Sequence, residues 1–223
     1  MALTKQKYTL NEFLNWPLIK SIFYNLDFEQ CFPEEGIIQL KNSNSQKFLI
    51  YGNNLNNKGV TCNIYLLEGN CYKEQSNLSF VNFCEDRFEI NTVFNKKGKY
   101  IVRIFGKDDQ MKNYSDMLEY LVIVLNNAQK KFFFPTRYGG KQDINVIEPL
   151  YDYLKHGQKV KFKIKSNLDE IIIIDNEWHY LKENIEGYFE FDKYIQTQKG
   201  NNVIIGKKND SSGCDSVVSY KVI

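Results

Sequence analysis

A chain of 223 residues holds one large domain or two of about 100 residues each, and only its internal pattern can choose between them. With 43% hydrophobic and 15% aromatic residues it can build a real core, so disorder is excluded as the starting assumption. A net charge of +2, from 29 basic and 27 acidic residues, supplies no field that draws the chain to nucleic acid. No apolar run approaches the roughly 20 residues that span a bilayer.

The opening MALTKQKYTLNEF lacks the apolar run of a signal peptide, which predicts a cytoplasmic protein unless such a peptide lies upstream. Thr9 and Glu12 stand at capping-box spacing and predict a helix start. Pro17 should end that turn and open a second short helix, with Leu18, Ile19, Ile22, Phe23 and Leu26 on one face. A helix this short is not stable alone, so its stripe is expected to pack on the next domain or on a partner.

Strand-like runs follow at GIIQLK, KFLIYG, VTCNIYLL, RFEINTVF, KYIVRIFG and LEYLVIVL, separated by turns rich in asparagine and glycine. Residues 126–131 read as a short linker crossed by few contacts. The chain then starts again, with a strand ending at Pro135, a turn at Gly139 and Gly140, and an irregular loop closed by Glu148 and Pro149. KVKFKIK, EIIIID, EWHYL, GYFEFD, NVIIG and VVSYKVI come next. In KVKFKIK the alternation puts Val160, Phe162 and Ile164 on one face and the lysines in water. EIIIID reads as a buried central strand, because four exposed isoleucines on an edge would invite aggregation.

The halves repeat each other. RFEI at Arg87 matches YFEF at Tyr188, Lys97 and Gly98 match Lys199 and Gly200, and EYLVI at Glu119 matches SYKVI at Ser219. A repeat of ~100 residues with about seven short strands predicts an all-β chain of two tandem immunoglobulin-like antiparallel β-sandwiches. The predicted boundaries are 1–30 for a helical lead-in, 31–130 for the first sandwich and 131–223 for the second.

The order EFLNWPLIKSIFY, KGKYIVRIFG, FFPTRYGG, IEPLYDYLKHGQKVKFKI, GYFEF and a final KG resembles the region after the catalytic domain in transglutaminase-like proteins of the kyphoscoliosis peptidase type. The resemblance runs from Tyr8 onward. It implies an accessory or protein-interaction module, and a papain-like or transglutaminase-like catalytic domain, in the same polypeptide or another, as a partner. The Cys-His-Asp triad associated with that family has no matching positions here, so the resemblance transfers no catalytic residue.

Taken by themselves, the reactive side chains predict no enzyme, cofactor or metal. Cys31, Cys62, Cys71, Cys84 and Cys214 are odd in number and lack CxxC spacing, which favours reduced thiols over a disulfide framework or zinc site. His156 sits in a turn, and a Cys214–His179 dyad has nothing in the sequence to bring it together. Glu34, Glu35, Asp108 and Asp109 lack calcium-loop spacing, and Gly139 and Gly140 serve a turn rather than a phosphate loop. Protein partners are expected at the Leu18, Ile22 and Phe23 stripe and at Trp178 and Tyr180. Facing outward, those two aromatics would anchor a protein or stack on a sugar, although the same alternation suits them to the core, which is the simpler reading. An adhesin or carbohydrate-binding pair of sandwiches is the alternative function.

Overall fold

The computed structural model describes residues 15–84, 86–138, 144–209 and 213–223. The Thr9–Glu12 helix start and the Gly139–Gly140 turn therefore lie outside the described residues. Short strands at β1 (Leu18–Ile19), β2 (Phe28–Phe32), β3 (Ile37–Leu40), β4 (Ser45–Gly52) and β5 (Lys58–Glu68) lead into β6 (Cys71–Gln75), β7 (Ser79–Cys84), β8 (Arg87–Val93), β9 (Gly98–Asp108) and β10 (Ser115–Val124). They form two facing sheets, β2-β4-β8-β7 and β1-β10-β9-β5-β6, with β3 also on the edge of β10. Alternation sorts their side chains: in β8 Phe88, Ile90 and Thr92 are buried, and Arg87, Glu89 and Asn91 are not. Phe48, Ile50, Phe88 and Ile90 of one sheet meet Ile64, Val102, Ile104 and Tyr120 of the other in one core.

The second sandwich uses β11 (Thr136–Arg137), β12 (Ile144–Glu148), β13 (Tyr153–Leu154), β14 (Lys159–Ser166), β15 (Ile171–Asp175), β16 (Glu177–Leu181), β17 (Phe189–Tyr194), β18 (Asn202–Lys208) and β19 (Cys214–Val222). Its sheets are β12-β14-β17 and β11-β19-β18-β15-β16, with β13 beside β19. Val160, Phe162 and Ile164 enter its core with Phe189, Phe191 and Tyr220, and EIIIID is the interior strand β15, as the pattern predicts. The repeated segments occupy matching places: β8 lies beside β4 as β17 lies beside β14, and β10 and β19 each take a short parallel strand. The architecture is that of immunoglobulin-like β-sandwiches, with a short α-helix at Ser21–Asn25 near the start of the described residues.

Three local expectations fail. Pro17 is followed by strand β1 on the edge of β10, and the helix α1 covers only Ser21–Asn25. The reason is distant in sequence: Leu18 and Ile19 pair with Glu119 and Leu118, and the absence of a Cβ at Gly36 lets the Trp16 carbonyl approach, so this part of the lead-in lies flat on the first sandwich. The segment before Pro135 is not a strand, and regular pairing starts at Thr136. What reads as an irregular loop holds β12, which pairs with β14 around a bulge at Val146 to Glu148.

The junction is also more tightly held than its composition suggests. Asn44 Nδ2 donates to Asn126 O at 2.9 Å, and the Phe134 N–H donates to Asn77 O at 2.8 Å. Phe80 of β7 joins the second core, stacks on Phe134 with ring centroids 6.0 Å apart, and lies under the Arg137 guanidinium.

Candidate functional site

The site is built on the β15–β16 hairpin. Asn176 turns it with φ of 63°, a left-handed conformation that asparagine tolerates better than most residues. Asp175, buried at the tip, accepts from the backbone N–H of Gln196 at 2.9 Å and of Thr197 at 2.7 Å. A buried carboxylate stays where its hydrogen-bond donors hold it, so the tip is fastened to the chain after β17.

From that anchored turn β16 runs as the outermost strand of its sheet, paired to β15 alone. Alternation then fixes its faces. His179 points inward, its ring centroid 4.8 Å from that of Phe191, and Leu181 packs on the second core. Trp178 and Tyr180 point outward, 43% and 53% exposed, with ring centroids 6.2 Å apart. Their partners across the ladder are Ile174 and Ile172. The simpler reading placed these two aromatics in the core. The structure places them outside, because the phase of the alternation is set by His179 and Leu181, the residues that cap the core beside Phe191.

The lead-in stripe divides differently. Phe23 is 1% exposed and packs in the first core, its ring centroid 5.6 Å from that of Phe28. It is therefore unavailable to a partner, which corrects its place in the predicted docking stripe: the stripe docks on its own chain. Ile22 is half-buried against the same core, and Leu18, 55% exposed, still faces solvent beside Glu119 of β10.

The sheet order separates the one conceivable dyad. Cys214 opens β19 and His179 lies on β16, three strand spacings away across β18 and β15, roughly 14 Å. Burial pushes the Cys31, Cys62, Cys84 and Cys214 thiols up, Cys62 to about 12, opposite in direction to an activated nucleophile. Asp215 adds to the rise at Cys214. Among the described residues, no three His, Cys, Asp or Glu side chains cluster to hold a metal, and no helix is long and apolar enough to cross a membrane.

A family model described as "KY-like, immunoglobulin-like domain" matches residues 10–135. Among solved structures, the chain is similar to the CsuC-CsuE chaperone-tip adhesion subunit pre-assembly complex of Acinetobacter baumannii, at 10% identity over 88% of this chain and 99% of that one, TM-score 0.34. It is also similar to SGBP-B of the Bacteroides ovatus mixed-linkage glucan utilization locus, solved with a heptasaccharide, at 15% identity over 84% of this chain and 42% of that one, TM-score 0.28. Likenesses at this level carry no functional information. No curated protein matches the chain.

Proposed function

This chain belongs to the KY-like, immunoglobulin-like domain family, and from that premise we propose that it works by protein–protein contact, as a non-catalytic accessory module of a transglutaminase-like system. Its role in this reading is to position a catalytic domain or to hold a partner against one. The observation that carries it is the Trp178–Tyr180 pair, two large aromatics kept in solvent on an edge strand by a hairpin whose tip is fastened through Asp175. Rigid aromatics lose little conformational entropy on contact and anchor interfaces out of proportion to their number. Leu18 is a second contact point, with Ile22 at its margin. The lead-in 1–30 and the units 31–130 and 131–223 are the proposed divisions, with Phe23, Leu26 and Phe28 of the lead-in packed in the first unit's core. Five unpaired cysteines, two of them buried, support a reducing, cytoplasmic setting.

The test titrates the chain with a transglutaminase-like domain of the family and, separately, with a neutral oligosaccharide, following the heat of binding, which the aromatic variants can also report. Binding to the domain that weakens at least tenfold in Trp178→Ser with Tyr180→Ser, at unchanged melting temperature, supports the proposal. Binding to the oligosaccharide alone would replace it with the carbohydrate-binding alternative.

A further inference from the structure

A cavity of about 310 Å³ opens at the foot of the first sandwich, between β6, the turn before β9 and the linker. Leu78, Tyr100 and Phe133 line its apolar part, and Lys73, Lys96 and Lys131 line its rim, with Glu74 the carboxylate among them. Lys97 and Lys130 adjoin two of the rim lysines in the chain. All five lysines are exposed, and among the described residues none has an ion-pair partner. Some lysines elsewhere on the chain are ion-paired, Lys47 with Glu89 at 3.0 Å, Lys161 with Glu190 at 3.0 Å and Lys159 with Asp192 at 3.3 Å.

Folding holds these like charges together. Asn95 clasps Phe132 twice, its Nδ2 donating to Phe132 O at 2.8 Å and its Oδ1 accepting from the Phe132 N–H at 2.9 Å. The Lys97 N–H donates to Asn127 Oδ1 at 2.8 Å, and Tyr100 Oη donates to Lys96 O at 2.9 Å. Two lysine-bearing segments distant in sequence are thus stitched at fixed backbone positions around a concave surface. Their mutual repulsion is relieved by a bound anion, and a ligand selective for the folded state stabilises it.

We propose that this cleft binds a glutamate-rich segment of a partner protein, its carboxylates on the lysine rim and an apolar side chain against Leu78 and Phe133. The charge complementarity names the acid, and the apolar floor names a peptide. A bilayer surface is flat, and a nucleic acid would meet no extended basic tract on a chain of net charge +2. This surface is separate from the Trp178 face, so either proposal can fail alone.

The test uses fluorescence anisotropy of a labelled Glu-Glu-Leu-Glu-Glu-Leu peptide with the whole chain at low salt. Expected is saturable binding that weakens with added salt and falls at least tenfold in Lys96→Glu with Lys131→Glu. Lys155→Glu with Lys182→Glu makes the same change of charge on the second sandwich and retains binding. All four side chains are exposed and have no ion-pair partner among the described residues, so unchanged melting temperatures confirm that the variants fold. No saturation at about 1 mM peptide, an equal loss in the control pair, or tighter binding to phosphatidylserine vesicles or to a single-stranded oligonucleotide would each overturn the proposal.

Discussion

Asn82 and Asn145 bind each other's strands: Asn82 Nδ2 donates to Val146 O at 2.9 Å, and Asn145 Oδ1 accepts from the Phe83 N–H at 2.6 Å. β7 is the edge of its sheet, and exposed edges invite unwanted pairing. Here the second sandwich covers part of that edge with a side chain instead of a strand. Removing one partner leaves a half-buried backbone group unpaired, so Asn145→Ala should cost about 1–2 kcal/mol in urea denaturation. Trp16 and Trp178 report on the two sandwiches separately. Their transitions should coincide in the natural chain and move apart in Asn82→Ala with Asn145→Ala.

The lead-in offers a contrast within six residues. Phe23→Ala opens a cavity in a filled core and should cost about 3–5 kcal/mol, whereas Leu18→Ala, on an exposed side chain, should stay within about 0.5 kcal/mol. Equal effects in thermal melts would mean that α1 does not pack as described.

That contrast marks how far the sequence could be read. Strands with strict alternation, such as β8 and β14, are legible because one face is buried and the other is not. β6 leaves no such pattern because it has no buried face: Cys71 to Glu74 are all exposed, and only pairing with β5 makes it a strand. β1 reads as helix in the sequence because its two residues become a strand only through Leu118 and Glu119, a hundred residues on. Within the site, the aromatic pair was visible but its side was not. Period-two alternation gives two equivalent phases, and the choice rests on where Phe191 lies in space. The lysine cleft left no mark, since its members are distributed over three segments.

Asp152 supplies a pH dependence. Burial raises its pKa from 3.8 to about 6, against the pull of Lys221. A raised carboxyl favours the protonated folded state, so its contribution is complete below about pH 4 and is lost as pH rises through 6. The natural chain should lose on the order of 1–2 kcal/mol across that window relative to Asp152→Asn. Parallel stability curves for the two proteins would refute the assignment.

Thiol labelling separates the cysteines. Cys71 is exposed and should react with a thiol reagent in the folded chain, while Cys62, buried and pushed up to about 12, should react only as the sandwich unfolds. Reaction of both at one rate in native buffer would contradict the packing of β5.

Tyr120 and Tyr220 play one part twice. Each hydroxyl donates to a proline carbonyl, Tyr120 to Pro33 at 3.2 Å and Tyr220 to Pro149 at 2.9 Å. Tyr220→Phe leaves a buried acceptor unpaired and should cost about 1 kcal/mol, read as a lower urea midpoint at constant slope.

The parallel pairing of β3 with β10 bears on how the chain meets tension. A pull on the two ends of the first sandwich first peels β1 from β10, where antiparallel bonds open one after another. Past α1 and the antiparallel β2–β4 pair, the load meets the four parallel register pairs from Leu121↔Ile37 to Val124↔Leu40, which would slide past one another and break together. β13 and β19 offer the same arrangement with only two pairs, Tyr153↔Lys221 and Leu154↔Val222. Stretched end to end, the second sandwich is expected to yield before the first, which single-molecule unfolding would read as two force steps of unequal height.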